Sequence, residues 1–182
     1  MNNKSIISFF LLMALTDVSA QETIKLFNIE WSLKNLDVVT FRNGDTIAEA
    51  KTALEWKEAG ILGDPAWCYA DNDPSNTMMG KLYNFHAVTD ERNLAPEGFI
   101  IPAIGDFPLS IQDPKTESVF KGNSAKNRYS DGEFSSVGGW WSRNSSSSQK
   151  AHVLNIDKLW GVVENKGNGY FVRCMKANPD NR

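Results

Sequence analysis

The sequence predicts an α+β domain that is rich in loops and ends in an antiparallel β-meander. Three observations favour this fold class. A capped segment near residues 47–59 has the spacing of apolar side chains found in helices. Residues 63–114 are rich in Pro, Gly and Asp, which predicts irregular loops. The last third of the chain carries short β-branched and aromatic runs divided by turn residues, as antiparallel sheets do.

The first element is not part of the fold, because residues 1–20 have the pattern of a secretory signal peptide. A lysine precedes an apolar run over residues 5–15, which is too short to cross a bilayer. The small residues Val18 and Ala20 predict cleavage before Gln21. An N-terminal strand or anchor helix is the alternative. We therefore expect export to the periplasm, the cell surface or the medium.

Two strands are predicted between the signal peptide and the helix. Residues 23–31 alternate apolar and polar side chains, which is typical of a half-buried strand. Residues 38–41 are β-branched and aromatic, and the Asn-Gly-Asp sequence at 43–45 predicts a turn directly after them.

The helix is predicted from its capping residues. Thr46 is the expected N-cap, and Glu49 three positions later completes a capping box. Ala50 and Leu54 lie on one apolar stripe at helical spacing, and Gly60 stands where a C-terminal glycine is expected. The charged side chains of this helix are expected to face solvent.

Four short strands are predicted in the last third of the chain. They cover residues 138–141, 151–156, 160–164 and 170–175. Residues 143–150 include four consecutive serines and are expected to form a mobile hairpin loop. The Lys-Gly-Asn-Gly sequence at 166–169 predicts the turn into the last strand.

The composition is consistent with one domain and argues against nucleic acid as a partner. The chain has 182 residues, of which 41% are hydrophobic, enough for one core. The net charge of −3 is opposite to that of a nucleic-acid-binding surface, and residues after the signal peptide include no run long enough for a membrane span. The predicted division is a signal peptide at 1–20, one domain at 21–176 and a polar tail at 177–182.

Cys68 and Cys174 are the two cysteines of the chain. In an oxidising compartment an isolated pair is more often bridged than free, so a disulfide between them is predicted. Two separately buried thiols are the alternative. A zinc site is not expected, because neither cysteine has a second Cys or His at ligand spacing.

A set of short strings, in order along the chain, resembles the Fibrobacter succinogenes major paralogous domain, a family of exported bacterial domains. The strings are VTFRNGD at 39–45, PAWCY at 65–69, DNDP at 71–74, GKLYNFHAV at 80–88, LAPEGF at 94–99, IP at 101–102, GWWS at 139–142 and VRC at 172–174. Each string alone is weak evidence, whereas the ordered set is specific. The resemblance extends from about residue 30 to residue 176.

The resemblance implies a C-type-lectin-like fold related to the formylglycine-generating enzyme, and it favours the bridge between Cys68 and Cys174. It implies no particular activity. Chemistry of the formylglycine-generating type uses a close pair of reactive cysteines in a substrate groove. A bridged, distant pair does not provide such a nucleophile, so an oxidase-like enzyme of this lineage is the least favoured interpretation.

Asp71, Asp73 and Asn76 are the candidate metal ligands. They place hard oxygen atoms on one short loop, which is what calcium requires. The glycine and the bidentate glutamate of an EF-hand are absent from the corresponding positions. An Asp-Pro turn at Asp73 explains the same residues. No other cofactor is predicted.

Trp140 and Trp141 are weak candidates for a ligand-binding surface on which a sugar ring could stack. Neighbouring residues of a strand point to opposite faces, so at most one of them is expected to face solvent. Core packing explains the other.

No catalytic residue is predicted. His86 and His152 lack a partner at metal-ligand spacing, and the chain contains no GxSxG, Walker A or GxGxxG motif. We therefore predict a non-catalytic exported binding or adhesion module of a bacterial cell envelope, with an extracellular or envelope glycan or protein as its partner. A structural component of the envelope or matrix is the alternative.

Overall fold

The described part of the fold has three β-sheets, antiparallel except for one parallel pair of strands, joined by short helices and loops. The computed structural model describes residues 21–108, 114–120, 126–155 and 161–178. The predicted signal peptide, Trp160 and residues 179–182 of the predicted tail lie outside this described part. Within it, the structure is mixed α and β, as predicted.

The strands are short. They are β1 (Thr23–Leu26), β2 (Ile29–Ser32), β3 (Ala48–Glu49), β4 (Ala66–Tyr69), β5 (Lys81–Asn84), β6 (Phe99–Ile100), β7 (Asn127–Arg128), β8 (Phe134–Ser135), β9 (Gly139–Ser145), β10 (Lys150–Asn155), β11 (Gly161–Asn165), β12 (Gly169–Tyr170) and β13 (Met175–Lys176). The α-helices are α1 (Ala53–Leu62), α2 (Phe85–Val88) and α3 (Pro114–Phe120), and 3-10 turns cover Ala70–Asn72, Pro74–Met79 and Ile104–Asp106.

The last two strands, β12 and β13, pair with strands from earlier in the chain and lie at interior positions of two sheets. One sheet has the order β1-β2-β13-β6 and another the order β3-β4-β5-β12-β7-β8. The third, β11-β10-β9, is the predicted antiparallel meander. The meander therefore ends at β11, because β12 pairs with β5 and β7, and β13 pairs with β2 and β6.

The predicted strand at 23–31 is a hairpin of β1 and β2. Leu26 pairs with Ile29, so only two residues form the turn. Phe27 and Asn28 both have positive φ, 47° and 67°. These are the signs that a tight hairpin turn of the primed type requires. The alternation of apolar residues continues through the turn, which is why the two strands resemble one in the sequence.

The predicted boundaries of the first helix are wrong. Residues 47–50 are extended, because β3 pairs with β4 in a parallel register, with Ala48 opposite Ala66. The capping box lies at Thr52 and Glu55: Glu55 N–H donates to Thr52 Oγ1 at 3.2 Å, and Thr52 N–H donates to Glu55 Oε2 at 2.9 Å. Gly63, with φ of 79°, ends the helix instead of Gly60.

The segment at 38–41 is not a regular strand. A single bridge joins Thr40 to Thr46, and the predicted Asn-Gly-Asp turn lies between them. Gly44 has a φ of 92°, and its N–H donates to the Phe41 carbonyl at 2.9 Å. The turn is therefore confirmed, whereas the strand before it contributes no ladder.

Buried aromatic side chains fill two neighbouring apolar clusters. Trp31, Trp56 and Trp140 belong to one, and Trp141 with Tyr83 belongs to the other. No helix in the described ranges has the length and apolar character needed to cross a membrane.

Candidate functional site

A groove at the C-terminal end of α1 is the candidate functional site. It has a volume of 560 Å³. Its walls come from α1 between residues 57 and 63, from His86 on α2, and from the turns at 130–131, 148–149 and 165–167. We call this cavity the α1 groove.

Backbone contacts set the shape of the α1 groove. A Cβ atom added to Gly60 would lie only 3.2 Å from Gly167 Cα, so the helix and the β11–β12 turn touch through their backbones. A Cβ atom added to Gly167 would also lie 3.2 Å from Ser130 Cβ. Glycine at both positions therefore permits this close approach.

Hydrogen bonds connect the turns around the groove to each other. Lys166 N–H donates to the Gln149 carbonyl at 2.9 Å, and the Lys166 carbonyl accepts from Phe85 N–H at 2.9 Å. Ser130 N–H donates to Asn168 Oδ1 at 2.9 Å. Three separate turns and the start of α2 are thus fixed relative to one another.

His86 lies half-buried at the base of the α1 groove. Burial and the nearby ammonium group of Lys166 lower the pKa of His86 below its usual value. The Gly60 carbonyl, which accepts a hydrogen bond from the imidazole, and the Asp64 carboxylate oppose this shift. The neutral imidazole is therefore favoured in the folded protein.

The groove carries more positive than negative charge. Lys57 lies on the α1 wall and Lys166 on the turn between β11 and β12, and neither forms an ion pair within the described residues. Asp131 is the acidic residue of the lining, and its Oδ1 accepts from Glu133 N–H at 3.1 Å. A cationic groove is unexpected in a chain with a net charge of −3.

Aliphatic side chains on the α1 wall are open to solvent. The relative exposures are 73% for Ile61 and 72% for Leu62. Trp56 is the buried residue of this helix, so α1 is attached by one face and leaves large apolar side chains uncovered. The arrangement combines apolar surface, two cations and neutral polar groups in one concave site, which is the usual chemistry of a binding site.

Two other cavities have polar groups that are already engaged. In one of 470 Å³, Arg42 donates to the Ala95 carbonyl at 2.9 Å and pairs with Glu97 at 3.5 Å. In another of 620 Å³, Asp37 forms an ion pair with Lys81.

Arg143 in the first cavity and Lys34 in the second form no ion pair within the described residues. The α1 groove differs from both cavities because its lysines lie beside the exposed aliphatic side chains of Ile61 and Leu62.

The predicted metal ligands are occupied by protein partners. Asp71 pairs with Lys126 at 3.0 Å, and Asn76 Nδ2 donates to the Ala70 carbonyl at 3.1 Å. Asp73 accepts from Ser75 N–H at 2.9 Å and from Ser75 Oγ at 2.8 Å, and so caps the following 3-10 turn.

The Asp-Pro turn at Asp73 is thus confirmed, and a calcium ion on this loop would have to displace these contacts. Across the described ranges, no group of three His, Cys, Asp or Glu side chains is arranged to hold a metal ion.

Neither candidate for sugar stacking is accessible. Trp140 and Trp141 are both 0% exposed, because one packs in each apolar cluster on either side of β9. Their indole N–H groups donate inward, to Asn35 Oδ1 and to the Tyr83 carbonyl, both at 2.8 Å. Neither tryptophan therefore presents a ring to a ligand, and the core packing expected of at least one of them holds for both.

The predicted disulfide is also wrong. Cys68 and Cys174 are free and buried, which is the alternative considered from the sequence. The physical reason is their position, since Cys68 on β4 packs in one apolar cluster and Cys174 before β13 packs in the other. Burial raises the pKa of each thiol to about 12.

Sequence reasoning missed the α1 groove. In the sequence, His86 has no neighbouring metal ligand, and the turn at 166–169 has only the features of a connection between strands. One feature of the sequence points to the groove. Ile61 and Leu62 are an apolar pair that lies directly before Gly63 and just beyond the predicted end of the helix. The meeting of five separate segments of the chain has no signature in a single sequence.

Comparison with known proteins identifies the family. The model of the Fibrobacter succinogenes major domain matches residues 24–113, about half of the chain, whereas the resemblance was expected to continue to residue 176. No curated protein and no solved structure matches the chain. The matched residues include α1 and His86, and the remaining groove walls come from beyond residue 113. Through residues 24–113, the chain belongs to the Fibrobacter succinogenes major domain family.

Proposed function

We propose that this protein is an exported, non-catalytic binding module of a bacterial cell envelope, and that the α1 groove is its binding site. The observation that carries the proposal is the groove itself, in which one concave surface is lined by two exposed aliphatic side chains and by two lysines that form no ion pair with any described residue. Exposed apolar surface beside polar groups is typical of interaction sites in folded proteins.

Two further observations support the proposal. The pattern of residues 1–20 favours export. Both cysteines are buried with raised pKa values, so neither resembles the reactive thiolate that oxidase-like chemistry needs. A C-type-lectin-like fold is part of the proposal; it rests on the family resemblance, and the α+β architecture supports it.

The test is binding of the labelled exported protein to envelopes isolated from the bacterium that produces it. We expect saturable binding that Leu62→Asp abolishes, since this change places a charge on the apolar wall of the groove. Leu54→Asp is the matched control, because Leu54 is 63% exposed on the same helix but does not line the groove.

Equal binding of the two variants would contradict the assigned site. Self-association of the protein without envelope binding would favour the structural alternative. N-terminal sequencing of the exported protein tests the location, and the expected first residue is Gln21.

A further inference from the structure

We propose that the ligand of the α1 groove is an acidic peptide segment of a partner protein, in which an apolar side chain is flanked by carboxylates. This inference rests on the proposed function, in which the α1 groove is the binding site. Three features of the groove support this partner chemistry: its apolar wall, its charge and the kinds of side chain that it lacks.

The apolar wall calls for an apolar side chain on the partner. Ile61 and Leu62 are adjacent and more than two-thirds exposed. Burying such side chains stabilises a complex by roughly 25 cal/mol for each Å² removed from water. Apolar anchors of this kind, surrounded by polar contacts, are typical of the energetic centre of protein interfaces.

The positive charges of the groove favour a partner with carboxylates beside its apolar anchor. Lys57 lines the groove from α1, as Ile61 and Leu62 do, and Lys166 lines it from the turn between β11 and β12. Lys166 is half-buried, with its Nζ atom 5.3 Å from the centre of the Phe85 ring. An anionic partner would complement both ammonium groups, and such complementarity favours association and selects against neutral or basic partners.

The side chains that are absent favour a peptide over a sugar. No Trp, Tyr or Phe is among the residues lining the groove in the described chain, so a flat ring for a sugar to stack on is missing. Aliphatic side chains suit a leucine-like or isoleucine-like anchor. Ser130 and Gln149 at the rim can serve the peptide backbone as hydrogen-bonding groups.

The experiment is an NMR titration of the folded protein with short acetylated and amidated peptides. The probe is Glu-Glu-Leu-Glu-Glu, and the controls are Ser-Ser-Leu-Ser-Ser, which lacks charge, and Glu-Glu-Ser-Glu-Glu, which lacks the anchor. An oligomer of galacturonic acid supplies carboxylates on a sugar. We expect the probe to shift the signals of Ile61, Leu62 and Lys166 and to bind about tenfold more tightly than either peptide control.

Four variants locate the contacts. Lys57→Glu with Lys166→Glu should weaken probe binding by about tenfold or more, and Leu62→Ser by about fivefold. Lys34→Glu lies at a different cavity, and Leu54→Ser lies outside the groove. Both should leave the affinity within about twofold. Unfolding curves of each variant verify that it is folded.

Each remaining outcome is decisive. Equal affinity for the charged and the uncharged peptide would overturn the acidic character of the partner. If the galacturonate oligomer binds and the probe peptide does not, the partner is not an acidic peptide, but the proposed binding function stands. Absence of all probe binding, with envelope binding still sensitive to Leu62→Asp, would reject only this ligand class. If the probe does not bind and envelope binding is also insensitive to Leu62→Asp, the proposed function is rejected as well.

Discussion

Asn35 Oδ1 accepts two hydrogen bonds from the guanidinium group of Arg173, from Nε at 3.1 Å and from Nη2 at 2.8 Å. The same oxygen accepts from Trp140 Nε1 at 2.8 Å. Arg173 Nη1 donates to the carbonyls of Ser32 and Leu33 at 3.1 and 2.7 Å. A fully buried cation is therefore satisfied by neutral oxygens from one early segment of the chain.

Replacing Asn35 should destabilise the protein strongly. In Asn35→Ala, the buried Arg173 side chain and the Trp140 indole lose their shared acceptor, so we expect a loss of about 3 kcal/mol in the free energy of unfolding. Urea unfolding at neutral pH measures this loss. Asn43→Ala is the control, because the Asn43 side chain bonds only to Asp45 in an exposed turn. A similar loss in both variants would show that the buried network contributes no special stability.

The capping box of α1 should contribute about 1 kcal/mol to the free energy of unfolding. Thr52→Ala removes the hydroxyl that accepts from Glu55 N–H, so the free energy of unfolding should fall by that amount. Thr46→Ala is the matched control, since Thr46 starts an exposed bridge outside the helix. Chemical denaturation of both variants distinguishes the two positions. A larger loss for Thr46→Ala would place the N-cap where the sequence suggested it.

The two thiols should react slowly in the native state and fully after unfolding. Burial and the raised pKa values of Cys68 and Cys174 leave little accessible thiolate at pH 8. Alkylation in denaturant without a reductant should therefore label both cysteines, as mass spectrometry can count. An unlabelled protein under these conditions would mean that the thiols are bonded to each other.

His86 should make stability fall as the pH is lowered. Its pKa is lowered in the folded state, so between that value and the ordinary pKa of about 6.5 the unfolded chain binds more protons. The contribution of His86 is thus complete above about pH 6.5 and is lost as the pH falls through the folded pKa.

His86→Gln should flatten this part of the stability profile between about pH 5 and 7. Unfolding free energies of the wild type and the variant across that range measure the difference. The imidazole signals of His86 in an NMR titration provide the direct check. A midpoint above the ordinary value would contradict the expected sign.

Local patterns predicted more of this fold than of its site. The strands β9, β10 and β11 follow from β-branched residues and turns that are close together in the chain. The sequence predicts the start of the first helix too early, because Thr46 and Glu49 have the spacing of a capping box. In the structure, pairing of β3 with β4 makes that segment a strand. Tertiary hydrogen bonds overrode a local signal there, which no inspection of the segment alone could detect.

Burial was the property that the sequence described least well. At most one of Trp140 and Trp141 is predicted to face solvent, and neither does, because an apolar cluster lies on each face of β9. For the cysteines, the sequence favours a disulfide, whereas the structure has two free thiols because each side chain packs in a different cluster. These outcomes are set by how the three sheets stack, which involves residues far apart in the chain.

The position of β13 between β2 and β6 bears on how the chain folds during synthesis. Ser32 N–H donates to the Cys174 carbonyl at 2.8 Å, and Cys174 N–H donates to Ser32 Oγ at 3.1 Å across 142 positions of sequence. This four-stranded sheet cannot be complete until β13 has left the ribosome, because β13 follows β1, β2 and β6 in the chain. Such long-range pairing slows folding and leaves the edges of β2 and β6 unpaired until then. Strand edges that stay unpaired for longer favour association of a folding chain with chaperones or with other chains.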